Sequence, residues 1–239
     1  AVILFAFGLM ILGLLAHGLG RFLMRGKDVT AHGAADAGRT YLIAPWIRLW
    51  HAANALLILT LGVTGLSIHF ADPTLPLVDF ALAVRIHNTA GVLLIGAYLF
   101  FVVANIVTGN WWQFVPKPPG IFQRILTQAR WYAIGVFRGE PHPHEPSPEE
   151  HFNALQAITY WSVMYLLLPV ILVSGLIYLY PQFAPETLFG FDGLLPVALL
   201  HYLSAVAVLL FLLSHIYLGT TGKTVGQMFK MMITGWHEH

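Results

Sequence analysis

LLHYLSAVAVLLFLLSHIYL, residues 199–218, contains no Asp, Glu, Lys or Arg and carries one histidine near each end, His201 and His215. A helix needs about 20 apolar residues to cross the hydrocarbon layer, so this stretch is a membrane span. Fourteen positions separate the histidines. On a helix that spacing returns them to within roughly 40° of one face and sets them about 21 Å apart along the axis. A single membrane histidine is ordinarily a hydrogen-bond partner to a neighbouring helix. Two on one face, at opposite depths of an apolar span, point to ligands.

The rest of the chain has the same character. Of 239 residues, 57% are hydrophobic and 10% charged, against roughly 45–50% and roughly 25% in soluble domains. Windows 1–20, 49–68, 86–107, 151–180 and 193–222 hold no charged residue. They lack the short alternating segments of a membrane barrel, so the fold class is all-α, a polytopic membrane helical bundle. Spans are expected at 1–23, Ile47–Phe70, Arg85–Asn110, Phe152–Tyr180 and Leu195–Tyr217. Pro169 should bend the fourth or free a carbonyl in it. The organisation is therefore an additional N-terminal transmembrane helix (1–23), a cytoplasmic connection (24–46), a four-helix domain (47–236) containing a cytoplasmic loop (111–151), and a tail (237–239). Within the loop, GIFQRILTQARWYAIGVF (120–137) repeats apolar residues at helical spacing, a helix lying in the interface with Trp131 as its anchor. The proline-rich RGEPHPHEPSPEEH (138–151) should be extended and exposed.

There is no cysteine, which excludes disulfides, covalently attached c-type heme, thiolate-ligated heme and cysteine-bound iron–sulfur clusters. Histidine is abundant instead, with 12 copies, as many as Lys and Arg together. Across five spans, Arg21, Arg25, Lys27, Arg39, Arg48, Lys117, Arg124, Arg130, Arg138, Lys223 and Lys230 fall on one side and Arg85 alone on the other. By the positive-inside rule the C-terminus is cytoplasmic and the chain start lies outside, in a bacterial or archaeal cytoplasmic membrane. The acids Asp72, Asp79, Glu186 and Asp192 then face outward.

That topology sorts the histidines by depth. His51 begins the second span and lies inside; His87 begins the third and lies outside; His201 is outside and His215 inside. The pairs are His87 with His201 and His51 with His215, each supplying two imidazoles to a noncovalent b-type heme. Arg48 and Arg85 precede ligands by three and two residues, where heme propionates would emerge. His69 shares a face with His51 but would lie about 27 Å from it, a poor match to the other spacing, so an interfacial role is expected. His17, near the inner end of the first helix, is expected to be a packing or interface residue. His142, His144, His151, His237 and His239 lack zinc-site spacing.

RLWH (48–51), RIHNTAG (85–91), HYLSAVAVLLFLLSH (201–215) and the terminal GKTVGQMFKMMITGWH resemble the four-helix diheme cytochrome b subunits of respiratory formate dehydrogenases and thiosulfate reductases. Nickel–iron hydrogenase cytochrome b is a more distant likeness. The resemblance covers about residues 46–236 and leaves the first helix outside the pattern. It implies two heme b groups and a quinone pocket near FNALQ (152–156), formed by Asn153, Gln156 and the neighbourhood of His215, with menaquinone or ubiquinone as exchangeable substrate. Leu155 departs from the glycine of some family members, and Asn153 is also placed to cap a helix.

The expected function is an electron-transfer subunit linking an outer-face iron–sulfur or multiheme redox partner to membrane quinone. The lipid bilayer is its surroundings, and no nucleic acid is involved. A free-standing b-type oxidoreductase, such as a ferric reductase or superoxide oxidase, would use the same hemes. A transporter or structural anchor would use none.

Overall fold

The computed structural model describes residues 2–25, 38–71, 78–222 and 224–238; Lys27, Asp72, Lys223 and His239, named above, lie outside the described residues. In chain order the elements are α1 (Val2–Arg25), β1 (Arg39–Tyr41), α2 (Pro45–His69), α3 (Phe80–Thr108), α4 (Ile121–Ala133), α5 (Ala154–Ser162), α6 (Leu168–Leu179), β2 (Thr187–Leu188), β3 (Phe191–Asp192), α7 (Leu194–Gly219), α8 (Gln227–Thr234) and β4 (Trp236–Glu238). A single π turn, Val163–Leu167, joins α5 to α6. Among the described residues five helical segments are long and apolar enough to cross a membrane: α1, α2, α3, the α5–α6 segment and α7. The protein is thus an all-α polytopic membrane protein.

The π turn follows from Pro169, the second residue of α6. Proline donates no backbone N–H and its ring crowds the preceding turn, and widening that turn accommodates both. The third span begins at Phe80, not at Arg85 as expected. Asp79 caps it, its Oδ1 accepting from Leu82 N at 2.9 Å, and this satisfies a helix-start donor that the sequence pattern assigned to the turn.

The chain forms two compact units, one of residues 1–44, 112–162 and 210–239, the other of 45–111 and 163–209. In the second unit α2 lies along α3, and α3 also meets α6. Trp50 stacks on Phe101 at 4.1 Å and donates Nε1–H to Ala97 O at 2.9 Å. Polarity is inverted relative to a water-soluble core. Leu49, Leu56, Leu59, Val63 and Leu66 of α2 are exposed, while Thr64, Ser67, Asn105, Ser174 and Ser204 are buried. Apolar side chains facing lipid and small polar ones between helices are what a bilayer selects.

In the first unit α4 packs on α5, and α1 on the turn Gly135–Phe137. α4 forms as expected, but Trp131 is not its interfacial anchor. It is 7% exposed, and its Nε1–H donates to Glu140 O at 3.0 Å. Phe122 and Leu126 are the apolar residues that α4 leaves open. The proline-rich stretch forms no helix or strand and turns where Ser147 and Glu150 exchange backbone bonds of 3.1 and 3.2 Å. It is half-buried in part, not uniformly exposed as expected, and is held by its ends: Lys117 Nζ donates to Glu149 O at 2.7 Å, Arg124 pairs with Glu150, and Arg130 grips Glu140 through two bonds of 2.7 and 2.9 Å. Two short antiparallel ladders add to the helices. β1 pairs with β4, continued by Leu42 N and Ile43 N donating to Gly235 O at 2.9 and 3.2 Å, and β2 pairs with β3.

Candidate functional site

His87 lies two turns into α3 and His201 two turns into α7. Both belong to the second unit, and their ring centroids are 6.4 Å apart with planes crossing at 76°. Each ring is held from behind at Nδ1. For His87 the partners are the Thr64 hydroxyl at 3.0 Å and the backbone of Leu61; that hydroxyl itself donates to Thr60 O at 2.7 Å and so has a lone pair to offer. For His201 the partners are Ile171 O at 3.1 Å and Ser174 Oγ at 3.2 Å, the serine donating to Val170 O at 2.7 Å. Acceptors at both Nδ1 atoms put the proton there and leave Nε2 with a free electron pair.

These two side chains fit an axially ligated heme. A metal bonded to two imidazoles at ~2.0–2.1 Å sets their ring centres about 6 Å apart. Glycines make room for both rings. A Cβ at Gly65 would lie 3.3 Å from His87 Cε1, and one at Gly175 would lie 2.9 Å from His201 Cε1. Arg85, also on α3, is exposed at the helix start, its Nε donating to Ala81 O at 3.4 Å.

The inner candidates fall in different units. His51 and Arg48 are half-buried on α2 in the second unit. One turn beyond His51, Oδ1 of Asn54 is buried and meets no hydrogen-bond donor among the described residues. His215 is in the first unit, stacked on Phe211 at 5.4 Å, with its Nδ1 facing the Tyr160 hydroxyl at 3.5 Å.

Asn153 and Gln156 form a reciprocal cap. Asn153 Oδ1 accepts from Gln156 N at 2.9 Å and Gln156 Oε1 accepts from Asn153 N at 3.1 Å. The capping role therefore occupies both amide oxygens, while the Asn153 side chain also hydrogen-bonds Tyr132 and the Gln156 amide nitrogen stands outside the cap. Tyr160 lies four residues beyond Gln156 on the same helix face, which joins the capped helix start to His215. The spacing Asn153, Gln156, Tyr160 is present in the sequence and marks Tyr160 as a member of this face.

Among the described residues, His69, His17 and His142 make local packing contacts. His69 is exposed and stacks on Tyr202 at 4.6 Å. His17 reaches Tyr132 O through Nε2 at 2.8 Å and the Tyr217 hydroxyl through Nδ1, so it anchors α1 within the first unit. His142 packs on Trp131 at 4.4 Å, with Nε2 3.3 Å from Gln128 Nε2. Burial holds His142, His144 and His151 below the ordinary imidazole value. Among the described residues no group of three or more His, Asp or Glu side chains is placed to hold a metal ion.

Residues 42–235 match the family model described as prokaryotic cytochrome b561. The chain is also similar to the Escherichia coli (strain K12) protein named "Putative cytochrome YdhU", 37% identical over 230 residues that make up 96% of this chain and 84% of that protein.

Proposed function

The chain belongs to the prokaryotic cytochrome b561 family, and from that membership we propose that it is the diheme, quinone-reactive electron-transfer subunit of a membrane oxidoreductase complex. His87 and His201 would hold the outer heme and His51 and His215 the inner one. Bound there, the hemes supply reversible one-electron transfer, which no side chain of this chain provides. The observation that carries the reading is the His87–His201 pair, 6.4 Å apart with an acceptor behind each Nδ1. Two imidazoles at this spacing, each held at Nδ1 by acceptors of the neighbouring helix, support a pair of ligands inside an apolar helix bundle.

The side chains around these ligands divide the remaining work. Arg48 and Arg85 would neutralise propionates at the two surfaces. Asn153 and Gln156 would offer amide N–H groups to a quinone oxygen, their cap holding the donors in position. Tyr160 would fill the space between that oxygen and His215. The basic residues argue for a cytoplasmic inner face, so quinol formation would draw its protons from the cytoplasm. The outer turns, close to His87 and His201, would receive an iron–sulfur or multiheme partner. The likeness to formate dehydrogenase and thiosulfate reductase subunits supports such a partner over action alone.

The test is the purified chain. Pyridine hemochrome analysis should find about two b hemes per chain with bis-imidazole spectra. His201→Ala should remove the outer heme and His215→Ala the inner one. A colourless protein, or one whose heme content ignores both substitutions, would sink the proposal.

A further inference from the structure

LGVTGL (61–66) of α2 and ILVSGL (171–176) of α6 share the pattern V-[T/S]-G-L, and each lies against one of the two outer histidines. The correspondence is atomic. In each copy the hydroxyl donates to the carbonyl four residues back, Thr64 to Thr60 O and Ser174 to Val170 O, both at 2.7 Å. Each hydroxyl then faces an imidazole Nδ1, at 3.0 Å for His87 and 3.2 Å for His201. The next residue in each copy is the glycine whose missing Cβ leaves room for the Cε1 edge of the same ring. The two histidines also lie alike, each on the helix that follows its own copy of the pattern.

We propose that V-[T/S]-G-L is a repeated ligand-positioning motif, by which each of the helical pairs α2–α3 and α6–α7 orients and tunes its own axial histidine. This rests on the reading of His87 and His201 as heme ligands. The hydroxyl acts as an acceptor because its proton is already committed to the helix. It therefore fixes Nδ1–H and the plane of the ring, and by drawing on that proton it makes Nε2 a stronger donor to iron. The glycine sets how closely the ring approaches the helix. Two copies on separate helices, each dictating one plane, account for planes that cross at 76°. The copies agree in a second contact as well. Beside each hydroxyl the ring also bonds the backbone three residues earlier, Leu61 for His87 and Ile171 O at 3.1 Å for His201, an acceptor that no side-chain substitution removes. Thr64 and Ser174 are thus positioning residues of the same kind, with the Thr64 hydroxyl at 3.0 Å and the Ser174 hydroxyl at 3.2 Å from their rings.

The experiment uses the full chain in detergent or nanodiscs, with the inner heme as an internal control of folding. Thr64→Val should shift the outer midpoint potential upward, because a ligand that has lost one of its two acceptors stabilises ferric iron less. It should also alter the outer low-spin EPR signal, and Thr64→Ser should restore both. Ser174→Ala should produce a shift of the same sign. Gly175→Ala should lose more outer heme than Gly65→Ala, since its methyl would stand 2.9 Å rather than 3.3 Å from the ring. Unchanged potential and EPR in both Thr64→Val and Ser174→Ala would overturn the motif, as would full outer heme in Gly175→Ala. If the parent chain binds no heme that His201→Ala removes, the functional reading falls and takes the motif with it.

Discussion

The imidazole planes of His87 and His201 cross at 76° while their centroids stand 6.4 Å apart. Near-perpendicular axial imidazoles bring two iron d orbitals close in energy, and parallel ones separate them. A heme held by His87 and His201, as proposed, should therefore give a strongly anisotropic low-spin EPR signal with one dominant g value rather than an ordinary rhombic spectrum. Low-temperature EPR of the oxidised chain, before and after His201→Ala, checks this; a rhombic spectrum lost with that substitution would mean that the rings rotate when loaded.

Asn153 and Gln156 use their oxygens for the helix cap and hold their nitrogens apart from it. Asn153→Asp and Gln156→Glu keep an acceptor oxygen and remove the amide N–H donors. They should leave heme content unchanged and weaken quinone-coupled turnover. Asn153→Leu and Gln156→Leu would also lose the cap and should cost about 0.5–2 kcal/mol in stability. Wild-type quinone kinetics in Asn153→Asp and Gln156→Glu together would remove these residues from the quinone site.

His142, His144 and His151 have depressed imidazole values, with burial the largest cause in each. Glu145, Glu149 and Glu150 pull in the opposite direction, while Lys117 and Arg124 add to the depression. A group depressed in the folded state binds its proton more readily when unfolded. The loop is therefore at full stability above about pH 6.5 and loses it as pH falls through that value. Amide protection factors over residues 138–151 should drop between about pH 7.5 and about pH 5.5, and equal protection at both would contradict the assignment.

Arg21 is 9% exposed and donates to Thr220 O at 3.0 Å, just past the C-terminus of α7. A cation there satisfies an end carbonyl and opposes the helix dipole. Arg21→Met should cost about 1 kcal/mol and His17→Ala a comparable amount through its two partners. Thermal melts and protease nicking between α1 and α2 are the measurements, with heme content expected to hold.

The spans are legible in the sequence because absence of charge over a membrane thickness has few alternatives. Their fine limits are not: the start of α3 depends on which residue caps it, and Asp79 reads as part of a turn. Trp131 misleads because an amphipathic pattern does not show whether the apolar face meets lipid or the Glu140 segment. His87 and His201 can be matched by depth from topology. Thr64 and Ser174 cannot, since hydroxyls in membrane helices commonly bond their own backbone, as these also do. Only the neighbouring helix reveals their second acceptor site. The β1–β4 ladder joins residues about two hundred positions apart and leaves no local signal.

That ladder also makes the chain a clasped loop. Leu42 and Gly235, bonded to one another, are the first and last residues of the stretch matching the cytochrome b561 family, residues 42–235. Entry and exit coincide, so whatever precedes β1 and whatever follows β4 hang from one point. The connectivity of the matched stretch is then a matter of where the ring is cut. A circular permutant with Glu238 linked to Arg39 and new ends opened in the exposed stretch around Pro141–Pro143 should retain its heme, and a fusion at either side of the clasp should emerge beside the other.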